Sequence, residues 1–243
     1  DGKGVFHKSK NPLPGKFSST GTVVAADFDH DGDMDIFTGG NIIPTKYPLT
    51  PRSYLMRNAQ GVFTDCTTEV ASELDSIGMV SAALWTDFNN DGWTDLLITG
   101  TYMPVTFYKN EKGKLVNVTA KTGLKNTEGW YSSITGGDFD NDGDIDYIAG
   151  NYGLNSYFKA TPEKPISVYA KDVDGNATLD PITSVFFGDG VDAPFFPGDI
   201  MMEQIPSWNN RFVNLKAYAK CDIKQVLGEG YKENTVILSA YNM

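Results

Sequence analysis

The sequence predicts an all-β fold built from repeated four-stranded antiparallel units, and three observations predict it. The first is a segment that recurs in register. Residues 23–36 read VVAADFDHDGDMDI, residues 83–96 read ALWTDFNNDGWTDL, and residues 134–147 read ITGGDFDNDGDIDY. Their leading aspartates are Asp27, Asp87 and Asp138, 60 and 51 residues apart. Repetition at a fixed period of this size marks an array of like structural units. The second is another repeated element that follows the first two copies: residues 58–67 (NAQGVFTDCT) align without a gap on residues 110–119 (NEKGKLVNVT). Residues 4–6 (GVF) echo residues 61–63, so the chain is expected to open in the last strand of a preceding unit. The third is the pattern of short β-rich runs ended by Gly or Asn, with no helical period through most of the chain.

Each unit reads as strands in order. An apolar run leads into the Asp-rich loop, and a second leaves it at Asp35, Asp95 and Asp146, ending at Gly39, Gly100 and Gly150. Two more strands follow, over 53–57 and 62–66 in the first unit and over 105–109 and 114–118 in the second. Four strands in roughly 50 residues is the composition of a β-propeller blade. The boundaries read as the end of a preceding blade over 1–20, blades over 21–77 and 78–128, and a third over 129–197 that also holds a degenerate fourth loop. A helical insertion over 198–228 and a strand of the next blade over 229–243 complete the chain. In the insertion, Trp208, Phe212, Leu215 and Tyr218 recur at helical spacing and predict one amphipathic helix packed on the sheets. Asp222 and Gly228 read as the N-cap and C-terminal stop of another. Phe186, Phe187, Phe195 and Phe196 precede it; burial is their expected fate, and a groove the alternative.

The loops carry the chemistry. Their common pattern is Asp-x-Asp/Asn-x-Asp-Gly-x-x-Asp, which places side-chain oxygens at positions 1, 3, 5 and 9 and a backbone carbonyl at position 7 around a hard cation. The ligands expected are Asp27, Asp29, Asp31 and Asp35 with the Asp33 carbonyl in loop one. They are Asp87, Asn89, Asp91 and Asp95 with the Trp93 carbonyl in loop two, and Asp138, Asp140, Asp142 and Asp146 with the Asp144 carbonyl in loop three. Residues 172–180 (DVDGNATLD) form a degenerate fourth copy, with Asp172, Asp174, Asn176 and Asp180 as ligands, Thr178 at position 7, and Gly175 at position 4 rather than 6. An all-oxygen, carboxylate-rich set favours Ca2+ over zinc, copper or magnesium. Three sites are expected and a fourth beside them. An EF-hand is excluded, because position 12 is Thr38, Ile98 and Ala149 instead of Glu and falls in strand-like runs.

The charge balance agrees. Net charge is −11, but 16 of the 31 acids lie in these loops, leaving 15 acids against 20 bases. A mildly basic body carrying concentrated anionic sites argues against nucleic acid as partner. No run approaches the ~20 apolar residues of a membrane-spanning helix. The start at Asp1-Gly2 carries no leader pattern, so the chain is read as a piece of something longer. Cys66 and Cys221 form no disulfide framework and are expected to be buried thiols, with a long-range disulfide as the alternative. His7 and His30 complete no catalytic set with a nucleophile, and the carboxylates are accounted for by the loops, so no enzyme activity is expected. Asn117-Val118-Thr119 and Asn176-Ala177-Thr178 fit the glycosylation sequon, the second inside a loop.

The chain resembles the FG-GAP/VCBS repeats of integrin α-subunit propellers and of exported bacterial proteins. It is most similar to a bacterial group found beside an ASPIC/UnbV module and related to cartilage acidic protein. Residues 51–58 (PRSYLMRN), 78–87 (GMVSAALWTD), 103–110 (MPVTFYKN) and 150–156 (GNYGLNS) carry the likeness. The resemblance implies a fragment of a propeller of about seven blades, with the remainder as a partner. It also implies an exported, extracellular binding or adhesion module that recognises a protein or glycan. A scaffold for a polysaccharide-degrading enzyme and a structural spacer in a surface protein are the alternatives.

Overall fold

The computed structural model describes residues 4–8, 10–15, 19–188, 190–212 and 214–243. Each Asp-rich loop joins two antiparallel strands, and the residue before the loop always pairs with position 9. The pairs are Ala26↔Asp35 between β1 (Ser19–Ala26) and β2 (Asp35–Ile42), and Thr86↔Asp95 between β5 (Met79–Thr86) and β6 (Asp95–Met103). Gly137↔Asp146 joins β9 (Gly129–Gly137) to β10 (Asp146–Asn151), and Lys171↔Asp180 joins β11 (Ile166–Lys171) to β12 (Asp180–Phe186). One closing register in four copies means one loop geometry in four copies.

The first two hairpins grow into meanders. β3 (Tyr54–Ala59) and β4 (Val62–Asp65) extend the first sheet in the order β1-β2-β3-β4, and β7 (Thr106–Asn110) and β8 (Leu115–Asn117) extend the second in the same way. The sheets lie with β1 beside β5 and β5 beside β9. A core of Phe37, Leu55, Val70, Leu74, Val80, Leu96 and Tyr108 fills the space between the first two. Close approach explains the glycines that end two of the post-loop strands, between the stacked sheets at Gly39 and within the β5–β6 pair at Gly100. A Cβ at Gly39 would meet Val80 Cγ1 at 2.4 Å, and one at Gly100 would meet the Met79 carbonyl oxygen at 2.1 Å. Gly in a strand permits such backbone approach.

Beyond the second sheet the structure departs from the boundaries read in the sequence. The β9–β10 hairpin acquires no third or fourth strand of its own. It joins the second sheet through Thr101↔Trp130 and Met103↔Gly129, giving the strand path β10-β9-β6-β7-β8. The fourth loop belongs to a separate sheet, ordered β13-β12-β11-β14, with β13 (Asp192–Pro194) and β14 (Val236–Ala240). The strand assigned to a next blade therefore returns to the fourth loop's own sheet, pairing Ile166↔Ala240 through Ala170↔Val236. Strand propensity is local and was legible; a partner some 70 residues away was not. Residues 4–8 form no strand, and Phe6 is 96% exposed. An apolar triplet sets a preference, but a strand needs a ladder.

One short helix, α1 (Thr67–Ala71), follows β4, and between β13 and β14 the described residues form four more: α2 (Gly198–Gln204), α3 (Trp208–Arg211), α4 (Leu215–Tyr218) and α5 (Ile223–Leu227). The single helix expected through Trp208–Tyr218 is two. Phe212 is extended, and Asn214 restarts the turn by accepting from the Ala217 N–H. Side-chain capping by Asn competes with helix continuation, which explains the break. Trp208, Phe212 and Tyr218 still converge, with ring centroids 5.3–6.1 Å apart, on Tyr169 and Ile182 of the third sheet. Leu215 is turned out, at 51% exposure. Asp222 and Gln225 form a reciprocal capping box, and Gly228, at φ 86°, ends α5. Phe187 and Phe196, half-exposed, and the half-buried Phe195 line a groove of about 800 Å3 with Pro194, Leu215 and Cys221, so the groove alternative holds for these three. Both thiols are free, Cys66 buried and Cys221 half-buried.

Trp208→Ala should cost about 3–5 kcal/mol of stability, the range for emptying a large aromatic site. Leu215→Ala should cost well under 1 kcal/mol. Urea denaturation of the two variants checks the broken helix, because one continuous amphipathic helix would make both residues core.

Candidate metal centres

The loops fold through hydrogen bonds made by their own aspartates. Position 1 accepts the backbone N–H groups of positions 5 and 6: Asp27 from Asp31 and Gly32 at 3.1 and 3.0 Å, and Asp87 from Asp91 and Gly92 at 3.1 and 2.7 Å. Asp138 accepts from Asp142 and Gly143, both at 3.1 Å, and Asp172 from Asn176 and Ala177 at 3.1 and 2.9 Å. Position 5 accepts from the N–H of position 7: Asp31 from Asp33, Asp91 from Trp93, Asp142 from Asp144, and Asn176 from Thr178. Position 9 reaches back to the N–H of position 2: Asp35 to Phe28, Asp95 to Phe88, Asp146 to Phe139, and Asp180 to Val173. Four loops, including the degenerate one, share every one of these bonds.

The shifted glycine of loop four follows from the backbone. Positions 4 and 6 are both left-handed in every loop. Position 4 is His30, Asn90, Asn141 or Gly175, at φ 61°, 55°, 62° and 78°. Position 6 is Gly32, Gly92, Gly143 or Ala177, at φ 93°, 84°, 94° and 65°. Asn and His tolerate this region better than most residues, and Gly adopts it freely. Loop four thus relieves position 4 and places a strained alanine at position 6, with the same fold.

On this frame the carboxylates of positions 1, 3 and 9 converge. Oxygens of Asp27, Asp29 and Asp35 lie within 4.8 Å of one another, as do those of Asp138, Asp140 and Asp146, and of Asp172, Asp174 and Asp180. Loop two gathers no acid triplet: at position 3, Asn89 donates its Nδ2 to Asp95 at 2.8 Å. The position-5 residues Asp31, Asp91, Asp142 and Asn176 lie outside the triplets, and Asp91 pairs with Lys109 at 3.0 Å. At position 7 the side chains make contacts of their own. Asp33 accepts from the Gln60 N–H, Asp144 from the Asn90 side chain, Thr178 donates to Asn176, and Trp93 stacks on His30 at 4.2 Å. His30 is exposed, with Trp93 covering one face of its ring.

The electrostatics fit a cation. Asp35 and Asp95 are fully buried. Burial pushes the Asp35 carboxyl up to about 6; the N–H groups of Asn58 and Phe28 pull it down, and Asp29 and Asp31 push it up again. Burial likewise raises Asp95 to about 6, and it raises Asp180 above the ordinary carboxylate range. Asp29 engages Arg57 Nε through Oδ2 at 2.7 Å, while its Oδ1 is buried with no hydrogen-bond partner. A buried unpaired carboxylate oxygen facing two further carboxylates is costly unless positive charge joins it. Oxygen-only donors of this charge suit a hard divalent ion.

Sequence reasoning missed the residues that hold the loops from outside. The backbone N–H of Asn58 donates to Asp35 Oδ1 at 2.8 Å, and that of Asn110 to Asp95 Oδ1 at 2.6 Å. The Asn110 amide also donates to the Phe28 and Thr94 carbonyls at 2.7 and 2.9 Å, clamping loop one to loop two. The signal was present: each Asn opens the second repeated element, and a basic residue, Arg57 or Lys109, stands before it.

Residues 87–149 match the family model described as an FG-GAP-like repeat. The match runs from the first aspartate of loop two into β10 and takes in two loops with the strands between them. FG-GAP-like repeat character is thus shown for this stretch, about a quarter of the chain. No curated protein matches the sequence. Among the described residues no helix is long and apolar enough to cross a membrane.

Ala177→Gly should stabilise the protein by about 0.5–1 kcal/mol in denaturant titrations. Gly32→Ala, where a Cβ meets nothing within 4 Å, should destabilise it by about 1 kcal/mol through backbone conformation alone. In chelator, Asp35 and Asp95 bind protons more tightly folded than unfolded, so stability should rise as pH falls from 7 to 4. The gain should be on the order of 2 kcal/mol for each carboxyl, complete below the unfolded value and lost above 6. Melting temperatures in EDTA across that range check the sign.

Proposed function

We propose that the chain is a calcium-stabilised extracellular binding or adhesion module of β-propeller architecture, whose partner is a protein or glycan. The observation that carries this reading is the fourfold identity of the loop frame, which gathers a carboxylate triplet in loops one, three and four. Bound calcium would supply positive charge that cross-links the strands entering and leaving each loop. Asp27, Asp29 and Asp35, Asp138, Asp140 and Asp146, and Asp172, Asp174 and Asp180 would hold it, and Arg57 would fix the orientation of Asp29. In loop two the amide of Asn89 already neutralises one face of Asp95, so this site would be the weakest.

The side-by-side placement of β1, β5 and β9 supports a radial stack of sheets, the arrangement of propeller blades. The FG-GAP-like repeat, a type typical of extracellular proteins, supports the extracellular setting. There calcium is abundant enough for sites of ~10⁻⁴–10⁻³ M to fill. Binding rather than catalysis is favoured because the loop carboxylates are engaged by backbone N–H groups and by one another, which leaves them poorly disposed as an acid–base pair.

At calcium a hundred times its Kd, each site should add about 2.7 kcal/mol, or roughly 5–10 °C in a chain of this size. Differential scanning calorimetry in calcium, magnesium and EDTA should show the largest shift in calcium, and Asp138→Ala should remove part of it. Superimposed calcium and EDTA traces would overturn the metal reading. A glycan array run with and without EDTA tests the partner class. Cleavage of a polysaccharide in place of retention would assign the scaffold to an enzyme.

A further inference from the structure

After each loop, the outgoing strand normally gains a neighbour: β2 pairs with β3, β6 with β7 and β12 with β13. Among the described residues β10 is the exception, paired with β9 on one side and open on the other. The two complete copies show what such an edge takes. Phe37 stands opposite Leu55 and Leu97 opposite Phe107; Ile36 stands opposite Met56 and Leu96 opposite Tyr108. The strand then continues to a basic residue and an asparagine. The basic residue pairs with the loop, Arg57 with Asp29 and Lys109 with Asp91. The asparagine N–H bonds Oδ1 of the position-9 aspartate.

Three features of β10 match the absence of such a strand; among the described residues, the missing second donor and the missing basic partner recur at Asp180 of loop four, whose strand β12 meets β13 only beyond the loop end. Ile148, the counterpart of the fully buried Phe37 and Leu97, is 54% exposed. Asp146, the counterpart of Asp35 and Asp95, accepts within the described residues only from the Phe139 N–H, through Oδ2, so its Oδ1 lacks the second donor. Loop three carries five aspartates, yet no Lys or Arg among the described residues pairs with it. An open ladder edge, an acceptor without its donor and an uncompensated acidic loop coincide at one strand.

We propose that the free edge of β10 docks an extended strand supplied by a partner protein, bearing two apolar residues followed by Arg or Lys and then Asn. The strand adds to the sheet by main-chain hydrogen bonding. Its first apolar side chain lies against Ile148, its cation meets Asp140 or Asp142, and its asparagine N–H completes Asp146. Charge complementarity fixes the direction, since only one orientation brings cation and N–H to the loop end. The inference rests on reading the chain as repeated metal-stabilised sheet units, but it has its own test.

The probe is a fluorescent peptide of residues 104–119, PVTFYKNEKGKLVNVT, which contains the β7 signature. Anisotropy is read against the intact chain at saturating calcium. Saturable one-to-one binding is expected, and it should weaken at least tenfold for a peptide N-methylated at the Asn110 position and for one carrying Lys109→Glu. Ile148→Lys in the chain, at an exposed position where folding is checked by its melting curve, should weaken it comparably. Absence of saturable binding, or equal affinity for all peptides, overturns docking, while a calcium-raised melting temperature in the same samples leaves the metal reading standing. Sedimentation of the chain alone supplies the other arm. A dimer that excludes the peptide and dissociates in Ile148→Lys would make a second copy the occupant and overturn the partner-strand assignment.

Discussion

The structure depends on one interaction repeated four times: a leading aspartate whose two oxygens take the N–H groups of positions 5 and 6. That clasp turns nine residues back on themselves so that the residue before the loop faces position 9 across a strand pair. Everything downstream follows from the pairing. It fixes the register of each hairpin, and register decides which side chains meet the neighbouring sheet. The same clasp forces anionic side chains into one small volume, so the device that makes the fold also creates its electrostatic cost. A charged loop of this kind is stable alone only at a penalty, which a bound cation would lower.

What the sequence disclosed divides along the range of the interactions. Contacts within nine residues were legible. The loop pattern, the left-handed glycines at position 6 and the capping box of Asp222 and Gln225 all depend on near neighbours. The left-handed turn at position 4 was legible in principle, since His30, Asn90, Asn141 and Gly175 are residues that accept it, but the eye goes to the invariant glycine of the first three copies. Pairings between distant segments were hidden. Nothing local in residues 236–240 says that their ladder partner is β11, and nothing in residues 129–151 says that their hairpin will lean on β6. The period through Trp208 and Tyr218 gave the burial of three of its four side chains correctly, missed the exposure of Leu215, and gave the backbone wrongly. Rings converge from two short helices as readily as from one long helix, and Asn214 decides between them.

The candidate sites show the same division. The carboxylate triplets at positions 1, 3 and 9 came directly from spacing. Position 5 was read as a fourth ligand; one of its side-chain oxygens anchors the N–H of position 7 in every loop. The asparagines at 58 and 110 were visible only as the first residues of the second repeated element, because their role lies in a backbone N–H directed at a carboxylate 23 and 15 residues earlier. Loop two illustrates how one atom changes a site: with Asn89 for Asp, a repulsive oxygen becomes a donor, and the loop satisfies itself.

The Asn110 amide, held between the carbonyls of Phe28 and Thr94, has a consequence for motion. Either loop can open only by breaking a buried hydrogen bond that belongs equally to the other. The first two sheets therefore constitute one cooperative opening unit, whose slowest-exchanging amides share a common free energy. The third sheet has a core of its own, Met201, Trp208, Phe212 and Val226. A shared core, Met79 and Tyr102 of the second sheet against Ile166, Val168 and Ala240 of the third, ties it to that unit, so opening of the third sheet exposes part of the second.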